Sequence, residues 1–361
     1  MRIVMFFSLV VLALGCGGEL PSDLDVGTSD VGTSDVGAAQ DALLLTQGDT
    51  GAPLPCADPT VFSKRNREAT WFIYCTGMRH VYRTTDWAHF AELGPSLHYS
   101  LDGLSAAAQE IHSWWAPSVT YDPKTDRYVM WVSVVDSKGR SLAVLTAPAP
   151  DGPWTYRRIQ KNASAQGQMY IDPFLLRTRS GAKFLFWKQY GGGLASRIMG
   201  QRLDAYGTRV TGTAKEIING YGGKGTWEDD CRENPAVWED PANGSFHLLF
   251  SGGAWFNGTY GTGHAVSTCG PLCTSGTGSW EVRPSKDRNV PQVVQSNGMK
   301  DFAFGGPGGA EWRGKDGHVI VYAAAARSAE GDKTRYLFRE RLSWSHGAPF
   351  VNRVGHHPRG F

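Results

Sequence analysis

A short phrase recurs five times along this chain of 361 residues, each time just ahead of a predicted β-hairpin. The copies read Ala57-Asp58-Pro59-Thr60-Val61-Phe62, Trp115-Ala116-Pro117-Ser118-Val119, Ile171-Asp172-Pro173-Phe174-Leu175-Leu176, Glu233-Asn234-Pro235-Ala236-Val237-Trp238 and a degenerate Gly306-Pro307-Gly308-Gly309-Ala310. Apolar runs follow each copy, at residues 71–74, 128–131, 184–187, 246–250 and 319–322. The spacing of Pro59, Pro117, Pro173, Pro235 and Pro307 suits four short strands with their loops, a repeat length that in a strand-rich sequence indicates a propeller. Residues 142–146 and 198–203 read as further strands between turn residues, and residues 104–111 are the best candidate for a short helix. The expectation is an all-β, five-bladed β-propeller from about residue 53 to the C-terminus.

Composition is compatible with one large domain: 41% of residues are hydrophobic and 19% charged. A formal net charge of +2, from 36 basic and 34 acidic residues, provides no electrostatic reason for a nucleic-acid partner. Arg2 precedes an apolar run over residues 3–14, too short for a mature membrane span and suited to an export signal. It ends in Ala13-Leu14-Gly15-Cys16, which resembles a bacterial lipobox and makes Cys16 a candidate for lipidation; an ordinary secretory signal is the alternative. Residues 25–37 then repeat an Asp-Val-Gly-Thr-Ser pattern too polar to pack a core and without the Glu or ligand spacing of a calcium loop. The expected organisation is a signal peptide over 1–16, a flexible linker over 17–52 and a propeller over 53–361. The implied location is an exported, membrane-anchored lipoprotein, periplasmic or on the cell surface, otherwise secreted.

Disulfides persist in exported proteins. Cys56 and Cys75 fall on opposite strands of one predicted hairpin, and Cys269 and Cys273 bracket Gly270-Pro271-Leu272, so these are the two expected bridges. Cys231 is then left as a lone thiol two residues from Glu233. No metal is expected, because the cysteines and histidines lack the paired spacing of a metal site.

In a propeller, equivalent positions of different blades face one axis, so the acids in three copies of the phrase converge. Asp58 and Asp172 stand immediately before Pro in blades one and three. Glu233 stands two residues before Pro235 in blade four, a slot that Trp115 fills in blade two. Taken singly, an Asp-Pro pair is more often a turn starter, since Asp caps its own backbone and Pro favours extension of the residue before it. Three acids at repeat-equivalent positions, each followed by an apolar strand, favour a shared site.

These phrases, with residues 84–90 (Thr84-Thr85-Asp86-Trp87-Ala88-His89-Phe90) and Gly152-Pro153-Trp154, resemble glycoside hydrolase family 43 over residues 53 to about 327. That resemblance implies a five-bladed propeller hydrolysing arabinan, xylan or related plant-wall glycans with inversion. It also implies Asp58 as general base, Glu233 as general acid and Asp172 as the residue tuning and orienting the acid. The chemistry asks for these parts, because one carboxylate must activate water on one face of the sugar while another protonates the leaving oxygen on the other. A nearby negative charge helps the acid keep its proton. The family often carries a fifth-blade His that helps hold an axial water or calcium. Gly309 stands there, and Ala323 follows Tyr322 where Tyr-His is common, so no cofactor is expected and a central calcium is disfavoured.

Candidate sugar-stacking aromatics are Trp115, Trp114 and Trp255, with Trp115 favoured by its slot; core packing is the ordinary role of a strand Trp. His112 and Arg232 lie near the acids in sequence and read as structural hydrogen-bonders. The expected partner is an oligo- or polysaccharide, with membrane contact only through a lipid anchor, and the expected state is a monomer. Two other readings are a non-catalytic glycan-binding propeller lipoprotein and a retaining propeller fructosidase. The second is disfavoured because its Asn-Asp-Pro and Glu-Cys phrases appear here as Ala57-Asp58-Pro59 and Glu233-Asn234.

Overall fold

The computed structural model describes residues 42–351 apart from 45, 48–51, 64–69, 78–80, 94–112, 137–138, 162–166, 220–226, 229–230, 256–258, 284–292, 296–303, 313–316, 327–333 and 346–347. The export signal, Cys16, residues 17–41, the helix candidate at 104–111 and His112 lie outside the described residues. Among the described residues every regular element is a strand. β1 (Ala42–Leu44) comes first, followed by β2 (Thr46–Gln47) and β3 (Ala52–Pro53), which pair with each other.

Blade one is β4 (Thr60–Ser63), β5 (Trp71–Tyr74), β6 (Val81–Thr84) and β7 (Ala91–Glu92). Blade two is β8 (Ser113–Asp122), β9 (Arg127–Asp136), β10 (Gly139–Ala147) and β11 (Thr155–Lys161). Blade three is β12 (Gln168–Arg177), β13 (Lys183–Gly191), β14 (Leu194–Leu203) and β15 (Val210–Ile218). Blade four is β16 (Glu233–Glu239), β17 (Phe246–Gly252), β18 (Gly261–Ser267) and β19 (Glu281–Val282), with β20 (Val294–Gln295) also paired to β18. Blade five is β21 (Phe304–Trp312), β22 (Val319–Ala326) and β23 (Arg335–Ser345), with β24 (Ala348–Val351) paired to β23.

β1 completes blade five by pairing antiparallel with β23, Ala42 opposite Glu340 and Leu44 opposite Phe338. Part of the segment expected as linker thus belongs to the propeller. An unpaired strand edge exposes a row of backbone donors and acceptors, and the N-terminal strand occupies the one that blade five would otherwise present. The ring is closed between the first and last parts of the chain.

Side chains alternate across a strand, so each blade packs both faces against its neighbours. In β9, Tyr128, Met130 and Val132 join Phe62, Tyr74 and Trp154 in the core between blades one and two. Val129 and Trp131 point the other way, meeting Leu175, Leu185 and Trp187 of blade three. Blade three meets blade four through Phe186, Ile198, Val237 and Phe250, and blade four meets blade five through Leu249, Trp312 and Tyr322. Val321 and Leu337 then pack on Val61, Ile73 and Tyr82 of blade one. Five cores at five junctions explain why central strands such as β17 are buried along their whole length.

Cys56–Cys75 and Cys269–Cys273 are disulfides, with Cα separations of 5.0 and 5.8 Å. The first ties the chain before β4 to the end of β5. Cys231 is also disulfide-bonded, which corrects the expectation of a lone thiol there. It is 2% exposed, so its sulfur is sheltered from solvent beside the site.

Candidate active site

The recurring phrase is a β-bulge. In β8, β12, β16 and β21 the ladder slips between Trp115 and Ser118, Ile171 and Phe174, Glu233 and Ala236, and Gly308 and Glu311. At the bulge one residue per blade takes a left-handed backbone: Ala116 (φ 43°), Asp172 (55°), Asn234 (48°) and Gly309 (61°), joined in blade one by Asp58 (46°). Asp and Asn tolerate this region better than other side chains, and Gly has no steric objection, which accounts for four of the five. Bulges re-aim side chains and are common beside active sites. Here they turn the slot residue and its predecessor toward the axis.

The alignment of blade five needs correction. Its slot is Gly309-Ala310, three positions beyond the Gly306-Pro307 pair that the prolines suggested. Positive φ is what the bulge demands, and Pro merely follows it in four blades. Gly308 therefore occupies the slot of Glu233, where a Cβ would run into the Tyr260 ring.

A small cavity on the axis is lined by Asp58, Ala116, Asp172, Asn234 and Gly309 with the residues that follow them. The backbone N–H groups of the slots are held by the preceding blade. Thr76 Oγ1 accepts from Ala116 N at 2.8 Å, Ser133 Oγ from Asp172 N at 2.9 Å and Ser251 Oγ from Gly309 N at 2.9 Å. In β9 and β17 those hydroxyls sit directly opposite the residue before the slot, Ser133 across from Trp115 and Ser251 across from Glu233. Lys188 holds that register position in blade three, across from Ile171. No hydroxyl is available there, and Asn234 N donates instead to Asp172 Oδ2 at 3.2 Å.

Lys188 was not among the residues singled out from sequence, yet its ammonium reaches Glu233 Oε2 at 2.6 Å, with side-chain exposures of 1% and 9%. Tyr260 donates to the other oxygen, Oε1, at 2.6 Å. Burial, followed by the Glu233 charge, pushes the Tyr260 phenol well up, keeping it a donor. The Glu233 and Asp172 charges outweigh burial and raise Lys188, keeping it cationic. Asp172 is 7% exposed. Burial first, then the Glu233 and Asp58 charges, hold its carboxyl well above the usual range, against the pull of Lys188 and Asn234 N.

Asp58 is held from three sides. Arg335 Nη1 donates to Oδ1 at 2.7 Å, Asn234 Nδ2 to the same oxygen at 3.2 Å, and Thr76 Oγ1 to Oδ2 at 2.7 Å. Asn234 Nδ2 also donates to the Tyr260 hydroxyl at 2.9 Å. A continuous chain thus runs from Asp58 through Asn234 and Tyr260 to Glu233.

The other candidates separate. Trp115 is half-buried beside the axis, with the Arg140 guanidinium 5.0 Å over its ring. Trp114 is corrected to a core residue: it is 5% exposed and packs between blades one and two. Strand alternation explains why the two neighbours face opposite ways. Trp255 is half-buried in the turn beyond Gly252, at the end of blade four where Glu233 lies opposite Ser251. Arg232 is buried and paired with Glu228 at 2.8 Å. A calcium does not fit the axial cavity, because Gly309 offers it no side-chain oxygen and the Asp58 oxygens are already engaged by Arg335, Asn234 and Thr76. Calcium takes six to eight oxygen ligands.

The fold agrees with three solved structures. A thermostable family-43 glycoside hydrolase superposes with a TM-score of 0.65 at 20% identity, covering 88% of this chain and 100% of the other. An endo-1,4-beta-xylanase from Bacteroides thetaiotaomicron gives 0.64 at 20% identity, with coverages of 83% and 95%. An endo-arabinanase from Bacillus licheniformis gives 0.60 at 21% identity, with coverages of 86% and 100%. No curated protein matches the chain by sequence. The model of glycosyl hydrolases family 43 matches residues 56–349, from the first disulfide into β24 and through all five blades. The chain therefore belongs to family 43 of the glycosyl hydrolases and is a glycosidase.

Proposed function

We propose that the chain hydrolyses arabinose- or xylose-containing plant-wall polysaccharides by a single inverting displacement. Asp58 is the general base, Glu233 the general acid and Asp172 its modulator. The observation carrying this reading is the hydrogen-bond chain between the two working carboxylates. Its links of 3.2, 2.9 and 2.6 Å keep the two terminal oxygens within about 9 Å of each other, so that both carboxylates can reach one glycosidic bond.

Arg335 and Thr76 fix the Asp58 carboxylate, so that it can take a proton from water at the anomeric carbon. Glu233, protonated from solvent before each turnover, delivers that proton to the leaving oxygen from the other side and is left as the carboxylate that Lys188 and Tyr260 hold. Asp172 lies beside both carboxylates, and burial together with their charges raises its carboxyl well above the usual range. Lys188 and Tyr260 orient Glu233 by occupying one oxygen each. The N-terminal sequence supports placing this activity outside the cytoplasm. Related structures described as an endo-1,4-beta-xylanase and an endo-arabinanase support the substrate class.

The test is product analysis on arabinan and arabinoxylan, with aryl arabinofuranosides and xylosides alongside, for the native chain and for Asp58→Ala and Glu233→Ala. Native protein should release sugar, and each variant should lose about 10²–10⁴-fold on natural glycans. Full activity in purified Asp58→Ala protein overturns the assignment. Glycan binding by native protein without hydrolysis of any substrate identifies a binding module instead.

A further inference from the structure

The wall between blades two and three holds a cation that no carboxylate among the described residues answers. Among the described residues the other buried cations at or near the axis each meet an acid. Lys183 pairs with Asp122 at 3.1 Å, Lys188 with Glu233 at 2.6 Å, Arg232 with Glu228 at 2.8 Å and Arg335 with Asp58 at 2.7 Å. Arg140, the second residue of β10, is half-buried and makes no ion pair with any described residue. Its Nη1 donates to the Tyr190 hydroxyl at 2.5 Å and lies 3.5 Å from Met169 Sδ. Its Nε is buried without a hydrogen-bond partner. Guanidinium carries five donors in a planar fork suited to a carboxylate, and most of that capacity is unused here.

Its surroundings locate it in the candidate site. The guanidinium stands 5.0 Å over Trp115, which occupies in blade two the slot that Glu233 occupies in blade four. It is 5.9 Å from the Tyr190 ring, and Lys188 lies 4.6 Å from the same ring. Tyr190 is thus flanked by two cations, of which Glu233 neutralises one. The remaining charge faces the aromatic side of the site, where a sugar ring would stack.

We propose that this wall is a subsite for a glycosyl unit bearing a carboxylate, a uronic acid, with Arg140 as the cation that reads it. A neutral pentose would leave the guanidinium unpaired, whereas a uronate supplies the missing acceptor as a charge-assisted, bidentate pair. The inference rests on the glycosidase reading of the site and adds the charge of the substrate to it.

The test uses the full chain and three ligands built on one xylo-oligosaccharide backbone: unsubstituted, carrying one glucuronic acid, and carrying the methyl ester of that acid. Calorimetric affinity for Glu233→Ala and kcat/KM for the native chain should both favour the acid over its ester by about tenfold or more at low salt. The preference should shrink as salt is raised. In Arg140→Gln the acid-to-ester ratio should collapse toward one, and Arg140→Lys should keep part of it. The ester comparison needs no substitution, so a misfolded variant leaves the result readable. Equal affinity for acid and ester, or preference for the ester, overturns the subsite. Failure to hydrolyse all three ligands, with the acid still bound more tightly, overturns hydrolysis of xylose-containing chains and spares the subsite.

Discussion

Replacing Asp172 by Asn should make the protein more stable, and increasingly so as pH rises. The carboxyl is 7% exposed, and burial together with the Glu233 and Asp58 charges raises it well above the usual range. A carboxyl raised in the native state binds protons more tightly there than in the unfolded chain. Its stabilising contribution is complete below the unfolded value of about 3.9 and is lost as pH rises through the higher native value. Asn has the same shape, keeps an oxygen for Asn234 N and never ionises. Each unit by which the native value exceeds the unfolded one weighs about 1.4 kcal/mol. The stability difference between Asp172→Asn and the native protein should therefore widen steadily from pH 4 to pH 8. Urea unfolding of both proteins at the two pH values reads this directly. A difference that stays constant with pH, or a variant that loses ground on going to pH 8, refutes the claim that burial and its neighbours' charges raise the Asp172 carboxyl.

Lys188→Met removes one partner of a buried pair and should cost about 3–5 kcal/mol at neutral pH, measured by urea unfolding. Because the Lys188 value is raised, the stability it contributes is present throughout the neutral range and fades only above the ordinary lysine range. Gly308→Ala should lose activity through Tyr260, since the new methyl group meets that ring and the ring carries the hydroxyl that holds Glu233. The expected stability cost is about 1–3 kcal/mol, and an active, fully stable variant would contradict the packing. Cys75→Ser opens the Cys56–Cys75 bridge, whose sequence separation is 19, and should lower stability by about 2–4 kcal/mol in thermal and urea unfolding.

Much of the blade architecture was legible because the bulge has a chemical signature in three blades, a residue that tolerates positive φ followed by Pro, and blade two shares the Pro after Ala116. The same signature misled in blade five. Proline 307 was matched to the others, although the conformation belongs to Gly309 and is followed by Ala310. Lys188 was not legible from its own neighbours, since Phe184-Leu185-Phe186-Trp187 reads as an ordinary buried strand. Its signal lies in hairpin register, because it faces Ile171 as Ser133 faces Trp115 and Ser251 faces Glu233. Arg335 reaches Asp58 across 277 positions of sequence, a contact that exists only once the ring closes. β1 was hidden for the same reason: three residues in a polar tail have no pattern of their own and become a strand by meeting the open edge of β23. Alternation counted back from Val119 would have put Trp115 on the core face; the bulge at Ala116 reverses the parity, and it is the register setting Trp114 opposite Val134 that sends Trp114 into the core.

The central claim is that Asp58 and Glu233 act as base and acid across a gap that admits water. Proton NMR of the first-formed sugar during hydrolysis of an aryl arabinofuranoside or xyloside tests it most directly. The account predicts that the initial product has the anomeric configuration opposite to that of the substrate, before mutarotation mixes the two. An initially retained configuration would contradict it, because retention requires one of these carboxylates to bond to the sugar instead of activating water.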